Sequence, residues 1–439
     1  MNAYWTSVGA VVAWLWFAAY LPAQEPARDA GAVSSREPVT WVPARMSLFP
    51  SYIEVLRSRL ADRGIYLGGG YIGEGMANLA GGLKAGAVYQ GLAKVSLDLD
   101  LERLTVWWRG GRARASGIYP HGEGPSSELV GDLQGVSNIS AYDSAALYEL
   151  WFEQNFLDDR LSVRLGQLVA DSEFAGTGYG NVLINSSFGW PAFISGNTPN
   201  TGPAYPRGSP GTRLRVESSN AWYVQTGVYV GDTGRPDQNT HGVRWELSGR
   251  NGAFAITEAG LRLNQDKDAQ GLPGTYKMGA WMNTADFPDP INPARARSLL
   301  YGPYVAARQL VWRKAGATEA LDQGIGLFFR SGISPEDYSQ FLFAFDAGIH
   351  GLGLIPGRPE DQSAIGVAFV RPSEEVRQAA RDEGARFLPD YELAAEITYH
   401  MKLKPWWTLQ PDLQWVRHPG GSAAHGDAIV LGLRTRISF

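Results

Sequence analysis

Ile429-Val-Leu-Gly-Leu-Arg-Thr-Arg-Ile-Ser-Phe439 is the stretch whose reading decides the fold. Side chains of an extended chain alternate between two faces. Here Ile429, Leu431, Leu433, Thr435, Ile437 and Phe439 share one face and Arg434 and Arg436 the other. The stretch is 11 residues long. Soluble strands average about 5–6 residues, whereas a tilted strand crossing a bilayer needs about 9–11. In lipid every strand edge must be closed, so a strand at the chain's end must pair with the first.

The same period of two runs back to Gly64, in pieces of about ten residues split by Gly, Pro, Asn and Asp. Tyr391, Leu393, Ala395, Ile397, Tyr399 and Met401 oppose Glu392, Glu396, Thr398, His400 and Lys402. Phe341, Phe343, Phe345, Ala347 and Ile349 oppose Asp346 and His350; Leu161, Val163 and Leu165 oppose Ser162 and Arg164. Tyr148, Leu150 and Phe152 alternate with Glu149, Trp151 and Glu153, and Val95, Leu97 and Leu99 with Ser96, Asp98 and Asp100. The polar partners are often charged, which suits a wet lumen. Trp107, Trp108, Tyr391, Tyr399, Trp406, Trp407 and Trp415 fall near strand ends, where interfacial girdles lie. The expectation is an all-β transmembrane antiparallel barrel over residues 64–439, with about sixteen strands (sixteen to eighteen by count). A soluble sandwich also alternates, and a propeller would need a repeat of about 40–50 residues, which is not seen.

Composition agrees. The 439 residues hold 44% apolar side chains, 53 glycines, 15 tryptophans and 19 tyrosines. That excludes a bundle of apolar spanning helices and a disordered chain. Lys and Arg number 39 against 44 Asp and Glu, so no cationic excess points to nucleic acid. Cysteine is absent, which excludes disulfides, thiolate metal sites and Cys nucleophiles.

Met1–Ala23 carries no charged side chain, and Val8–Leu21 is an apolar run of 14 residues, a signal-peptide length. Cleavage is expected after Leu21-Pro22-Ala23. Residues 24–45 lack any period and read as a flexible start, and Ser51–Arg63 has Ile53, Leu56 and Leu60 at helical spacing. Four segments break the alternation: Ala115–Tyr142, Asp171–Thr212, Asp286–Gly302 and Arg371–Pro389. Within the last, Ser373–Arg386 reads as a short charged helix outside the barrel. Asp171–Thr212 is the longest and carries Phe174, Tyr179, Phe188, Trp190, Phe193 and Tyr205. Aromatics in so long a loop need a surface to bury against, so residues 171–212 are expected to fold inward; an external loop packed on itself is the alternative.

The residues also resemble the carbohydrate-selective porins of the OprB type, over roughly residues 60–439. The resemblance rests on Gly81-Gly82 ahead of Asp98-Leu-Asp-Leu-Glu-Arg-Leu104, and on Glu149-Leu-Trp-Phe-Glu-Gln154. It continues in Arg164-Leu-Gly-Gln167 with Asp171 and Glu173-Phe174, then Asn185-Ser-Ser-Phe-Gly189. Gln410-Pro-Asp-Leu-Gln414 with His418-Pro-Gly-Gly421, and Leu431-Gly-Leu-Arg434, complete it. It implies one sixteen-stranded barrel in the bacterial outer membrane through which sugars diffuse. Its partners would be sugars and outer-membrane lipid, and a homo-oligomer stays open.

Alternation turns Arg109, Arg112, Arg114, Glu149, Glu153, Arg164, Arg215, Arg244 and Glu246 toward the lumen, since Arg on a lipid face would cost about 2–4 kcal/mol. Arg and carboxylate groups bind sugar hydroxyls in pairs, and rings stack on C–H faces. Arg109, Arg112, Glu149, Trp151, Glu153 and Arg164, with Phe174 and Trp190 from the long loop, are therefore the candidates for the solute path and its constriction. Gly68-Gly-Gly70-Tyr-Ile-Gly73 fits a dinucleotide fingerprint in letters, but no helix pattern follows it. The six histidines show no metal spacing, and no catalytic motif is visible. No cofactor is expected. An unselective or anion-favouring pore, a barrel enzyme and a soluble carbohydrate-binding β protein are the competing readings.

Overall fold

The computed structural model describes residues 51–105, 107–218, 221–266, 269–288, 296–315 and 322–438. The expected signal segment Met1–Ala23 and the irregular residues 24–45 lie outside the described residues. A helix, α1 (Ser51–Asp62), leads into the first strand. The strands are β1 (Ile65–Ala80), β2 (Gly86–Asp100), β3 (Gly111–Gly122), β4 (Ala146–Phe156), β5 (Leu161–Leu168), β6 (Ser209–Ser218), β7 (Trp222–Val230) and β8 (Ala253–Leu263). They continue as β9 (Gly274–Asn283), β10 (Leu300–Arg313), β11 (Gly324–Ile333), β12 (Phe341–Leu352), β13 (Gln362–Pro372), β14 (Glu392–Lys404), β15 (Trp407–Arg417) and β16 (Ala428–Ser438). All sixteen form one closed antiparallel barrel, each strand beside its neighbours in the chain. β1 and β16 close it, in register from Gly70 opposite Ser438 to Ala77 opposite Leu431.

Closure removes every free strand edge, and the outer face shows why lipid must surround it. Leu327, Ile349, Ile365, Ile397, Leu413 and Leu431 stand directly opposite one another across β11 to β16. Each is 43–53% exposed. A continuous apolar row of this kind is favourable only against acyl chains. The partner face is buried and polar, with Asp346, His350, Glu396, Asp412 and Gln414 turned inward.

Both ends of the barrel chain, before β1 and after β16, lie at one rim. The connections at that rim are short, and the long ones rise from the other, which is the usual periplasmic–extracellular asymmetry. A helix at Glu374–Asp382 occupies the long-loop rim, capped by the Ser373 hydroxyl, which accepts from the Val376 amide. The glycine run Gly68–Gly73 lies within β1, paired with β2 throughout and with β16 from Gly70 onward, and is no phosphate loop.

Several boundaries differ from the sequence reading. Ala115–Gly122 belongs to β3, Ser209–Thr212 to β6 and Leu300–Gly302 to β10. In β3 the outward positions are small, at Ala113, Ala115 and Gly117. The inward Ile118 packs on Ile139 and Val169 of interior loops, so the polar-apolar contrast is lost. Phe341 does not join Phe343 and Phe345 on the outer face. A bulge between Phe341 and Phe343 turns Phe341 inward, where it is 6% exposed. Arg244 and Glu246 lie on no strand. They belong to the irregular connection 231–252, where Val243, Trp245 and Leu247 mimic alternation without a pairing partner.

Candidate functional site

A closed sheet of sixteen strands encloses a lumen too wide for contact with a small solute unless something fills it. Two long connections do. Residues 169–208, between β5 and β6, reach the far wall. The Ala175 amide donates to Glu258 of β8 at 2.8 Å, and Lys277 of β9 donates to the Gly176 carbonyl at 2.8 Å. The amides of Ile184 and Asn185 donate to Glu396 of β14 at 2.6 and 2.9 Å, and Gln410 of β15 donates to the Val182 carbonyl at 2.7 Å. A segment that leaves between β5 and β6 and bonds to the buried faces of β8, β9, β14 and β15 must cross the interior. Arg330 of β11 holds its middle: fully buried and paired with Asp346 at 2.8 Å, it donates to the carbonyls of Ala175, Ser187 and Gly189 at 2.8, 2.5 and 2.7 Å.

The second insert is the β3–β4 connection, residues 123–145. Leu133 and Gln134 amides donate to Glu392 at 2.8 and 2.9 Å, and Ser137 donates to Glu74 at 2.6 Å. Gln414 donates to the Val136 carbonyl at 2.9 Å. The sequence marked this segment as a connection but gave no sign that it enters the lumen.

Opposite these anchors, the inner wall of β2 to β6 carries the charged group. Register builds it in rungs. Arg112 faces Glu153, Glu153 faces Arg164, and Arg164 faces Arg213. Glu153 pairs with Arg164 and Arg213 at 2.7 Å each. Glu173, delivered by the long loop, pairs with Arg213 at 2.5 Å and also contacts Arg164. The quartet is electroneutral: two guanidinium and two carboxylate groups. One rung away, the Arg164 guanidinium lies 4.0 Å over the Trp151 ring, whose Nε1 donates to Glu149 at 3.2 Å. Glu149 also accepts from Arg114 at 3.0 Å and Ser116 at 2.9 Å, and Arg114 reaches Asp98 at 2.9 Å. Gly166, with φ +135°, faces Trp151; a Cβ there would meet the Leu150 carbonyl at 2.2 Å, so only glycine lets the strands close at this rung.

Burial divides these groups into two kinds. Glu149, Glu153, Arg114 and Arg213 are 2–7% exposed and act as fixed backing. Arg164, Glu173, Trp151 and Trp190 keep partial exposure. Trp190 donates from Nε1 to the Thr201 carbonyl at 3.0 Å and meets Phe254 edge-on at 6.3 Å. Phe174 is 1% exposed and packs with Phe193, Trp281 and Tyr304, so it anchors the loop. Arg109 lies apart, in an exposed turn at the short-turn rim, where its carbonyl accepts from Gln154 at 2.8 Å. Arg112 is in register with Glu153 but exposed, outside the paired group. Arg215 forms a separate cluster with Glu217 at 2.8 Å, over the Tyr223 ring at 4.2 Å.

The sequence reading names Asp171 and Glu173 only as part of the family resemblance, and it singles out neither Arg213 nor Lys94 for the site. Arg213 was legible in the alternation Arg213, Arg215, Glu217, but the piece is short. Lys94 sits 4.9 Å over the Tyr148 ring. Asp171, in the loop, accepts from the Tyr205 amide at 3.0 Å; burial pushes its carboxyl up to about 6, and the Glu149 charge adds to the rise. Among the described residues no group of three His, Asp or Glu side chains is arranged to hold a metal ion.

Residues 84–439 match the family described as "Carbohydrate-selective porin, OprB family". The chain is 23% identical to Porin B of Pseudomonas aeruginosa, covering 87% of this chain and 89% of that one. It is 20% identical to the putative porin QuiX of Acinetobacter baylyi, covering 87% of this chain and 91% of that one. The high-pH structure of Pseudomonas putida OprB matches its fold with a TM-score of 0.79 at 22% identity, over 88% of this chain and 97% of that one. A closed sixteen-stranded barrel and a family match over most of its length lead to one assignment: the chain belongs to the OprB family of carbohydrate-selective porins.

Proposed function

We propose that this sugar-preferring outer-membrane channel selects its solutes at the neutral quartet Glu153–Arg164–Arg213–Glu173 beside Trp151. The observation that carries the reading is the delivery of Glu173 by the inward loop to two arginines of the wall. Balanced charges give no strong preference to either ion sign. They offer paired donors and acceptors to a polyhydroxylated neutral solute, with the Trp151 face for its C–H surface. The paired arginines are already satisfied, so a passing sugar exchanges contacts and leaves again, as conduction requires. The chain acts as a channel rather than an enzyme, inserted in lipid after loss of Met1–Ala23.

Liposome swelling with sugars, amino acids and salts of matched size tests this. Sugars should enter fastest. Deleting Gly176–Pro203 should raise conductance and erase the sugar preference. Equal rates for all solutes in the unmodified channel, or an unchanged pore after deletion, would defeat it.

A further inference from the structure

The connection 231–252, at the long-loop rim, encloses a second cavity. With Gly208, Ser209 and Pro210 at the head of β6 it bounds a volume of ≈ 300 Å³. That is the lower end of the range for small-molecule sites, on the scale of one or two sugar rings. Ser209 stands four residues along β6 from Arg213, about 13 Å at ~3.3 Å per residue, so the cavity is separate from the quartet.

Its lining has unmet capacity. Trp245 is 50% exposed, yet its ring is fixed at the edge, because Nε1 donates to Gln167 Oε1 at 2.6 Å. Gln167 is itself fully buried on β5 and donates to the Leu147 carbonyl at 2.8 Å. The indole is therefore held in place with a face uncovered. The Thr233 hydroxyl is buried in the wall, in a residue 7% exposed, and has no hydrogen-bond partner. A buried hydroxyl without a partner is a cost that a ligand oxygen would relieve. The side chains of Gln238 and Arg250 make no hydrogen bond or ion pair among the described residues. Asp232 uses Oδ1 for Asn200 at 2.7 Å and the Gly234 amide at 2.9 Å, which leaves Oδ2. Arg244 pairs with Glu246 at 2.5 Å. Two arginines and two carboxylates balance, so neither an anion nor a cation is favoured. A fixed indole face, an amide, a hydroxyl and both charge signs converge on a neutral ligand with many hydroxyls.

We propose that this vestibule cavity is a capture site for a neutral mono- or disaccharide, occupied before the solute reaches the quartet. The proposal rests on the sugar-channel reading above. It gives a role to Gln167: as a positioning residue it orients Trp245 from inside the barrel. Asn200, reaching Asp232 from the inward loop, ties the capture site to the insert that carries Glu173.

The test measures glucose and maltose entry into liposomes bearing the full chain, from low to high sugar concentration. Entry should saturate. Trp245→Ala should reduce entry at low concentration by about threefold to tenfold, the worth of one ring stack, and raise the half-saturating concentration accordingly. Maximal flux and KCl conductance should stay as in the unmodified chain. Trp245→Phe and Gln167→Leu each keep a ring but lose the bond that fixes it, so both should shift half-saturation part of the way toward Trp245→Ala. Gln238→Ala should shift it in the same direction without touching the barrel. Unsaturated linear entry, or half-saturation unchanged in both Trp245→Ala and Gln238→Ala, would overturn the capture site while the channel still prefers sugars. If the unmodified channel passes glucose no faster than a size-matched zwitterion at any concentration, the channel reading itself fails.

Discussion

Glu396 on β14 and Asn185 of the inward loop are joined across the lumen: the carboxylate accepts the Asn185 amide at 2.9 Å while its other oxygen takes the Ile184 amide at 2.6 Å. Both residues are buried. A glutamine would keep one acceptor and oppose an N–H with an NH₂ group, at a cost of about 1–3 kcal/mol. Glu396→Gln should lower the thermal midpoint of heat-induced mobility change on gels and raise single-channel conductance with added flicker. A midpoint and conductance both equal to the unmodified chain would show that this bond does not hold the insert.

Arg330 does two jobs that can be separated. Arg330→Met strips three loop carbonyls of their donor and strands Asp346 in the interior, a loss of about 3–5 kcal/mol. The double variant Arg330→Met with Asp346→Leu should recover much of the stability, because no lone charge remains. Conductance should stay high in both, since the carbonyls are still released. Normal conductance in the double variant would assign the loop's position to other bonds.

The quartet's neutrality makes opposite predictions for its two signs. Glu153→Gln leaves two arginines against Glu173 and should shift the reversal potential in a KCl gradient toward anion selectivity. Arg164→Gln leaves two carboxylates against Arg213 and should shift it toward cations. Shifts in the same direction would place the ion path away from this group.

Asp171 supplies a pH dependence whose sign follows from burial. Its folded value of about 6 lies above the ordinary 3.8. The folded chain thus holds a proton that the unfolded chain releases at lower pH. The stability this contributes is complete below pH about 4 and is lost as pH rises through about 6. Above that, the ionised group adds one negative charge near Glu149 and Lys94, and cation preference should grow. Asp171→Asn should flatten both the stability slope and the selectivity slope over pH 4–7, with histidine contributions cancelling in the comparison. Identical slopes in the two proteins would show that Asp171 does not titrate there.

How far the sequence could be read depended on the range of the interaction involved. Ile429–Phe439 and Tyr391–Met401 announced strands, because alternation is written in consecutive residues. Arg164 and Glu153 were legible as inward-facing for the same reason. That Arg213 joins them depends on the register between β5 and β6, which no local pattern states. Alternation and the cost of Arg on a lipid face put Arg109 in the lumen, but the chain is still turning there and no face is defined. Phe341 was misassigned by a single bulge. The β3–β4 insert carries few aromatics, so nothing local revealed what Glu74, 63 residues away, and Glu392 and Gln414, 258 and 278 residues away, do for it.

The junction of β1 with β16 orders events in time. Glu74 on the first strand and Arg434 on the last are ion partners, and Ser137 and Asn138 of the β3–β4 insert bond to them at 2.6 and 2.7 Å. The bonds from Arg434 to Glu74 and Asn138 need the final strand, whereas the bond from Ser137 to Glu74 does not. The β3–β4 insert is thus tied to the first strand by itself and to the last only on closure, so an assembly arrested one strand short would leave the Glu74 carboxylate without its cation and the insert held on one side.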